Sequence, residues 1–157
     1  VFFTQFRNGH NYKSFNCFKF RSMVINQKAD LVQVTRGDNR ITIMGKFLRK
    51  TSLDEMPQFF NVFLGDMSVV GPRPHMLSHT EMYAKKIDKF MVRHFVKPGI
   101  TGLAQVSGFR GEVENDKDII GRVKHDVFYI ENWSFFLDIK IIFQTIFNSL
   151  KGEEKAY

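Results

Sequence analysis

The chain has 157 residues, enough for one domain with a buried core. Its net charge of +7 favours an anionic partner: phosphate groups, nucleic acid or an acidic membrane face. The single cysteine, Cys17, excludes an intramolecular disulfide and CxxC metal pairs, and no apolar run reaches the roughly 18 residues of a membrane span.

The first residues are Val1-Phe2-Phe3, without Met and without a polar lead-in, which reads as a fragment or trimmed product of something longer at the N-terminus. From Val1 to Met23 the pattern predicts strands: FFTQF, a turn at Arg7-Asn8-Gly9, then YKSFNCFKFRSM. Alternation puts Lys19 and Arg21 on one face and Phe18 and Phe20 on the other, a cationic face over an apolar one. Cys17, among phenylalanines, reads as a small buried apolar residue. Residues 26–40 are polar and predict a loop. Ile41 to Lys50 predicts a short helix with Ile43, Phe47 and Leu48 on one side and Lys46, Arg49 and Lys50 as its polar residues.

The next helix carries Met56, Phe59, Phe60, Phe63 and Leu64 at helical spacing and stops at Gly65. Pro57 belongs in a first turn, which sets the start near Asp54. Asp54 and Glu55 then stand at the positive end of the helix dipole, where ionised carboxylates are favoured. Ser68 to His75 is turn-rich and holds Arg73 between two prolines. Ser78-x-x-Glu81 scans as a capping box opening a helix to about Phe95. Ile100 to Glu114 is punctuated by Gly102, Gly108 and Gly111. A helix with the stripe Ile119, Ile120, Val123, Val127 and Ile130 follows and breaks at Asn132. Ser134 begins the last helix, FFLDIKIIFQTIFNSL, apolar enough for a central core helix or one bedded in lipid. Eighteen phenylalanines suit either a core or a lipid interface.

Ser52-Leu53-Asp54-Glu55 has two readings. As a capping box, Ser52 caps the helix and Glu55 reaches back to it. Chemically, an ionised Asp near cations attacks phosphorus, and a neighbouring Glu holds a divalent metal that also binds phosphate oxygens. Arg49 and Arg73 supply guanidinium forks suited to phosphate. No GxxxxGK[ST] or GxSxG occurs. His75 and His79 lie at i, i+4 but lack a third zinc ligand, and His125-Asp126 diverge as helix neighbours. The basic residues form no nucleic-acid stripe, so no nucleic-acid partner is expected.

Four segments in order carry a resemblance: KFRSM (Lys19 to Met23), FLRKTSLDEMPQFFNVFLGDMSVVGPRP (Phe47 to Pro74), KPGITGLAQVSG (Lys97 to Gly108) and DVFYIENWSFFLDIKIIF (Asp126 to Phe143). Together they resemble the bacterial sugar transferase family, the polyprenyl-phosphate hexose-1-phosphate transferases that initiate exopolysaccharide, capsule and O-antigen synthesis. The resemblance covers 1–157 as one catalytic domain. It implies transfer of a phosphosugar from a UDP-hexose to undecaprenyl phosphate, releasing UMP, with Mg²⁺ as cofactor. It implies Asp54 as nucleophile, forming a covalent phosphosugar intermediate, and Glu55 as metal ligand. Arg49 and Arg73 should contact phosphates, and Lys19, Arg21, Arg40, Gln105 and Asp126 fall in the substrate-binding set.

SGFRGE (Ser107 to Glu112), Gly71 to His75 and the ending EEKAY look most like the subgroup using UDP-glucose, with Arg110 and Glu112 as candidates for sugar recognition. UDP-galactose or an N-acetylated amino sugar is the alternative. Family members carry a membrane-inserted helix before the equivalent of Val1. The resemblance therefore implies the cytoplasmic face of the bacterial inner membrane, with the positive charge toward anionic lipid. A reading of another class is a non-catalytic basic module that docks on membranes. The expected fold is α+β: a small N-terminal antiparallel β element packed against several amphipathic helices, some membrane-interfacial.

Overall fold

Strands β1 (Phe2–Asn8) and β2 (Ser14–Phe20) pair antiparallel, in register from Phe2 opposite Phe20 to Asn8 opposite Ser14. The computed structural model describes residues 1–24, 38–75, 82–85, 87, 89–111, 113 and 115–151. The hairpin turn lies later than the sequence suggests. Arg7 and Asn8 remain in the ladder opposite Phe15 and Ser14, and Gly9 N–H closes the loop on Lys13 O at 2.9 Å. The two faces of β2 also differ from expectation. Phe15 and Cys17 are buried, so the face that carries Lys19 is the one packed inward. Phe20 lies on the other face, stacked on Phe2.

Helix α1 (Ile43–Lys50) starts at Thr42, whose Oγ1 accepts from Gly45 N–H at 2.9 Å. A short 3-10 turn, Leu53–Glu55, leads into α2 (Gln58–Leu64), with Pro57 at the N-cap and left-handed Gly65 at the end. The aromatic stripe of α2 faces out: Phe63 is 90 % exposed, and Phe59, Phe60 and Leu64 are also exposed. The buried side is polar, with Asn61 at 0 % exposure. Asn61 Oδ1 accepts from Phe18 N–H at 3.0 Å, and its Nδ2 donates to Asn16 O at 2.7 Å. The side amide thus satisfies backbone groups of β2 that would otherwise be unpaired at a sheet edge.

A second, parallel pair was not anticipated. Strand β3 (Ser68–Val70) runs beside β4 (Gly99–Thr101), in stretches that read as turns and glycine-punctuated loop. Each strand is only 3 residues long, too short to show alternation. Their backbones approach closely at Gly99, where a Cβ would lie 2.7 Å from Gly71 Cα. The expected helix to Phe95 is not continuous. Residues 82–85 are helical, Lys89 is left-handed, and Phe90–Phe95 is 3-10. The tighter winding eclipses side chains three apart, which buries Phe90 and Arg93 together with the guanidinium 5.2 Å from the ring centroid. The capping residues Ser78 and Glu81 lie outside the described residues.

The short α3 (Leu103–Val106) precedes α4 (Asp116–Glu131), which Asn115 and Asp118 open with a reciprocal capping box. Ile119, Val123 and Val127 of α4 pack with Tyr83 and Phe90 as the main apolar cluster, while Ile120 is exposed. Helix α5 (Phe135–Lys151) buries Ile141 against Val70 and Tyr129 and exposes Phe135, Phe136, Phe143 and Phe147. Thr145 meets Thr101 of β4 at 2.6 Å. The last helix is therefore docked on one side and apolar on the other. No described helix is long and apolar enough to cross a membrane.

The arrangement is α+β, with the antiparallel element at the N-terminus and helices packed on it.

Candidate active site

Asp54 and Glu55 sit in the 3-10 turn between α1 and α2, both buried. Ser52 does not cap it: the residue is left-handed, at φ 59°, and its side chain makes no cap bond. Its hydroxyl instead accepts from Arg110 Nη2 at 2.7 Å. The capping reading of S-x-x-E therefore fails, and Glu55 turns to cations. Lys19 Nζ lies 3.0 Å from Glu55 Oε1. Arg73 Nη1 donates to Glu55 Oε2 at 3.2 Å, and Arg73 Nη2 is paired with Oε1. Strand β2 delivers the lysine, and the Gly71–Pro74 segment after β3 delivers the arginine.

Burial alone would raise the Glu55 pKa. The charges of Arg73 and Lys19 overcome it and hold the carboxyl well below its ordinary range. Asp54 is opposite in sign: burial and then the Glu55 charge raise its pKa, against Lys19, Arg49 and Arg73. Among the described residues no side chain hydrogen-bonds the Asp54 carboxylate. Neighbouring acids with pKa values pushed apart are a pattern of functional sites.

The other candidates occupy different places. Arg49 Nε donates to Ser22 Oγ at 2.9 Å and acts on Asp54 through its charge. Arg40 is held by Asp38, with Nη2 2.6 Å from Oδ2, and Arg21 is exposed. Gln105 is buried and donates to Ile100 O at 3.1 Å. Asp126, 2 % exposed, lies in an ion pair with Arg93 at 2.7 Å. Its carboxylate is turned to that guanidinium. Arg93 Nη2 also donates to Arg73 O at 2.9 Å, so Asp126 is linked through Arg93 to the segment that carries Arg73. Glu112 and His79 lie outside the described residues. His75 is packed against Tyr83 and Phe90, and burial, then the Arg93 charge, depress its pKa well below the ordinary value. His125 rests on Phe109 and diverges from Asp126.

Sequence reading missed Arg93, Asn61 and the Ser52–Arg110 contact. Arg93 had a signal: a lone guanidinium in the apolar run FMVRHFV needs a buried partner.

Among the described residues no group of three or more His, Cys, Asp and Glu is placed to hold a metal ion. The neighbouring carboxylates are hard oxygen donors of the kind that bind Mg²⁺ through one or two carboxylates, with substrate phosphate completing the shell. The residues present fit that group.

A family model described as bacterial sugar transferase matches residues 1–152. A Klebsiella pneumoniae protein named UDP-glucose:undecaprenyl-phosphate glucose-1-phosphate transferase is 53% identical over 94% of this chain and 32% of its own length. A Xanthomonas campestris pv. campestris protein of the same name is 50% identical over 100% of this chain and 33% of its own length. An undecaprenyl-phosphate galactose phosphotransferase of Salmonella typhimurium strain LT2 is 43% identical over 88% of this chain and 31% of its own length. The chain thus spans about a third of the length of these curated relatives.

Proposed function

The chain belongs to the bacterial sugar transferase family, and from that premise we propose that it transfers glucose-1-phosphate from UDP-glucose to undecaprenyl phosphate, releasing UMP and initiating polysaccharide synthesis. The observation that carries this reading is the Asp54–Glu55 turn: one carboxylate locked by two cations, the other buried beside it without a hydrogen bond from a described side chain.

In the first step an Asp54 carboxylate oxygen attacks the phosphorus that bears the sugar. The bond from that phosphorus to the bridging oxygen breaks, and UMP leaves with the electron pair. In the second step an oxygen of undecaprenyl phosphate attacks the same phosphorus. The acyl phosphate bond breaks, Asp54 is returned as carboxylate, and the sugar remains on a lipid diphosphate. No proton is gained or lost by Asp54. In both steps an anion approaches an anionic phosphorus centre, and the positive charges of Lys19, Arg49 and Arg73 at Asp54 offset that repulsion. Glu55 would hold Mg²⁺ with Asp54 beside it, and the ion would neutralise the donor diphosphate.

Membrane association is part of the proposal. The exposed Ile43, Met44 and Phe47 of α1 and the exposed face of α2 give apolar surface, and α1 adds exposed Lys46 and Lys50. Such a surface, with net charge +7, suits the anionic cytoplasmic face of the bacterial inner membrane. A docking module without catalysis would gain nothing from burying one acid against another, which disfavours the charged form. Two relatives are named for glucose and one for galactose, which favours UDP-glucose and makes UDP-galactose the donor to test against it.

The test is UMP release in detergent with Mg²⁺ and undecaprenyl phosphate, from UDP-glucose, UDP-galactose and UDP-N-acetylglucosamine. The expected result is glucose-selective release that Asp54→Asn abolishes. Release that survives Asp54→Asn would sink the covalent route while leaving the transferase reading in place.

A further inference from the structure

The segment between α3 and α4 carries Arg110 to Ser52, two residues before Asp54, and the Arg110 charge helps to lower the Glu55 pKa. Helix α4 holds this segment in place. The Phe109 ring packs on His125, centroids 4.9 Å apart. It also covers Gly121, where a Cβ would lie 2.6 Å from Phe109 Cζ and nearer still to Cε1. His125 Nδ1 is 2.8 Å from Gly121 O, which fixes the imidazole over its own helix. Arg122 Nη2 donates to Gly111 O at 2.7 Å. Gly121, Arg122 and His125 therefore grip the segment on both sides of Arg110. Glycine inside a helix costs stability relative to alanine, and the seat for Phe109 is a packing reason for it here.

We propose that Gly121 is a positioning residue for the donor sugar: the notch it leaves seats Phe109 and so sets where Arg110 stands relative to Asp54. The proposal rests on the transferase reading above, with Arg110 directed at the sugar of the nucleotide sugar. The atoms that a new Cβ would meet belong to a side chain, not to backbone. Gly121→Ala should therefore displace Phe109 and the 107–111 segment while favouring the helix itself.

Two readouts test this on the whole chain. In steady-state assays, Gly121→Ala should raise KM for UDP-glucose by about tenfold to a hundredfold, the scale of an ångström-sized misplacement. KM for undecaprenyl phosphate should hold, and the melting temperature should not fall. The double variant Gly121→Ala/Phe109→Leu, which lacks the outer ring atoms, should recover most of the donor affinity. Amide hydrogen exchange over 107–111, read without turnover, should quicken in the single variant and slow again in the double. Unchanged exchange in Gly121→Ala overturns the seat. An equal loss toward both substrates, or no rescue by Phe109→Leu, overturns the donor role. If the unaltered chain releases no UMP from any UDP-sugar, the transferase reading falls and the donor role with it, while exchange still decides the seat.

Discussion

Replacing Asp126 with Asn removes the anion from a pair in which the carboxylate is 2 % and the guanidinium residue 5 % exposed. Arg93 would be left as a buried charge without its counter-ion. Breaking a buried pair from one side costs about 3–5 kcal/mol. Burial also raises the Asp126 pKa against the pull of Arg93, so the lower end, about 3 kcal/mol, applies. For a domain of this size that is a fall in melting temperature of roughly 6–12 °C. The assay is thermal unfolding by circular dichroism, with urea denaturation beside it. Arg93→Met/Asp126→Leu should regain most of the stability, since an apolar pair of similar volume escapes the desolvation penalty. It should not regain UMP release, because Arg93 also holds Arg73 O. Melting of Asp126→Asn within about 2 °C of wild type would refute the reasoning, since it would mean the pair carries less than about 1 kcal/mol.

Asp54→Asn should unfold at higher temperature than wild type at neutral pH while losing UMP release. A carboxyl whose folded pKa is raised destabilises the native state above that pKa, and the amide removes this cost; a lower melting point would contradict it. Glu55 has the opposite sign. Its contribution is complete above its unfolded pKa, about 4.5, and is lost as pH falls through the lower folded value. Wild type should therefore lose stability on the acid side more steeply than Glu55→Gln, as urea titrations at stepped pH would show. Phe60→Asp/Phe63→Asp should leave folding almost untouched and cut binding to anionic vesicles. Each phenylalanine taken from water is worth about 1.5–3 kcal/mol, so a loss below about tenfold would remove α2 from the contact.

The sequence carried the helices with clear ends. Gly65, Asn132 and Ser134 mark boundaries that the structure keeps, because each is a local matter of backbone conformation and capping. It carried the hairpin but set its turn too early, since Arg7 and Asn8 stay in the ladder through cross-strand partners. Pro57 pointed to a helix start near Asp54, but the helix begins at Gln58 and the paired carboxylates occupy the 3-10 turn before it. The cations that lock Glu55 come from 36 and 18 residues away, so their meeting is a property of the fold. Periodicity found the stripe on α2 but not its direction. An apolar stripe says only that two faces differ, and here Asn61 takes the inner one.

That inverted helix has a consequence for where the protein can work. A helix held by oily contacts loosens when its surroundings change from water to hydrocarbon, because the drive to hide those contacts disappears. The Asn61 amide is held to the β2 backbone by directional bonds, which strengthen as the medium becomes less polar. The turn that carries Asp54 is thus tied to the strand that carries Lys19 by a fastening that a less polar medium does not loosen. Its alignment should survive transfer between detergent, lipid and water, with only the outer aromatic face changing company.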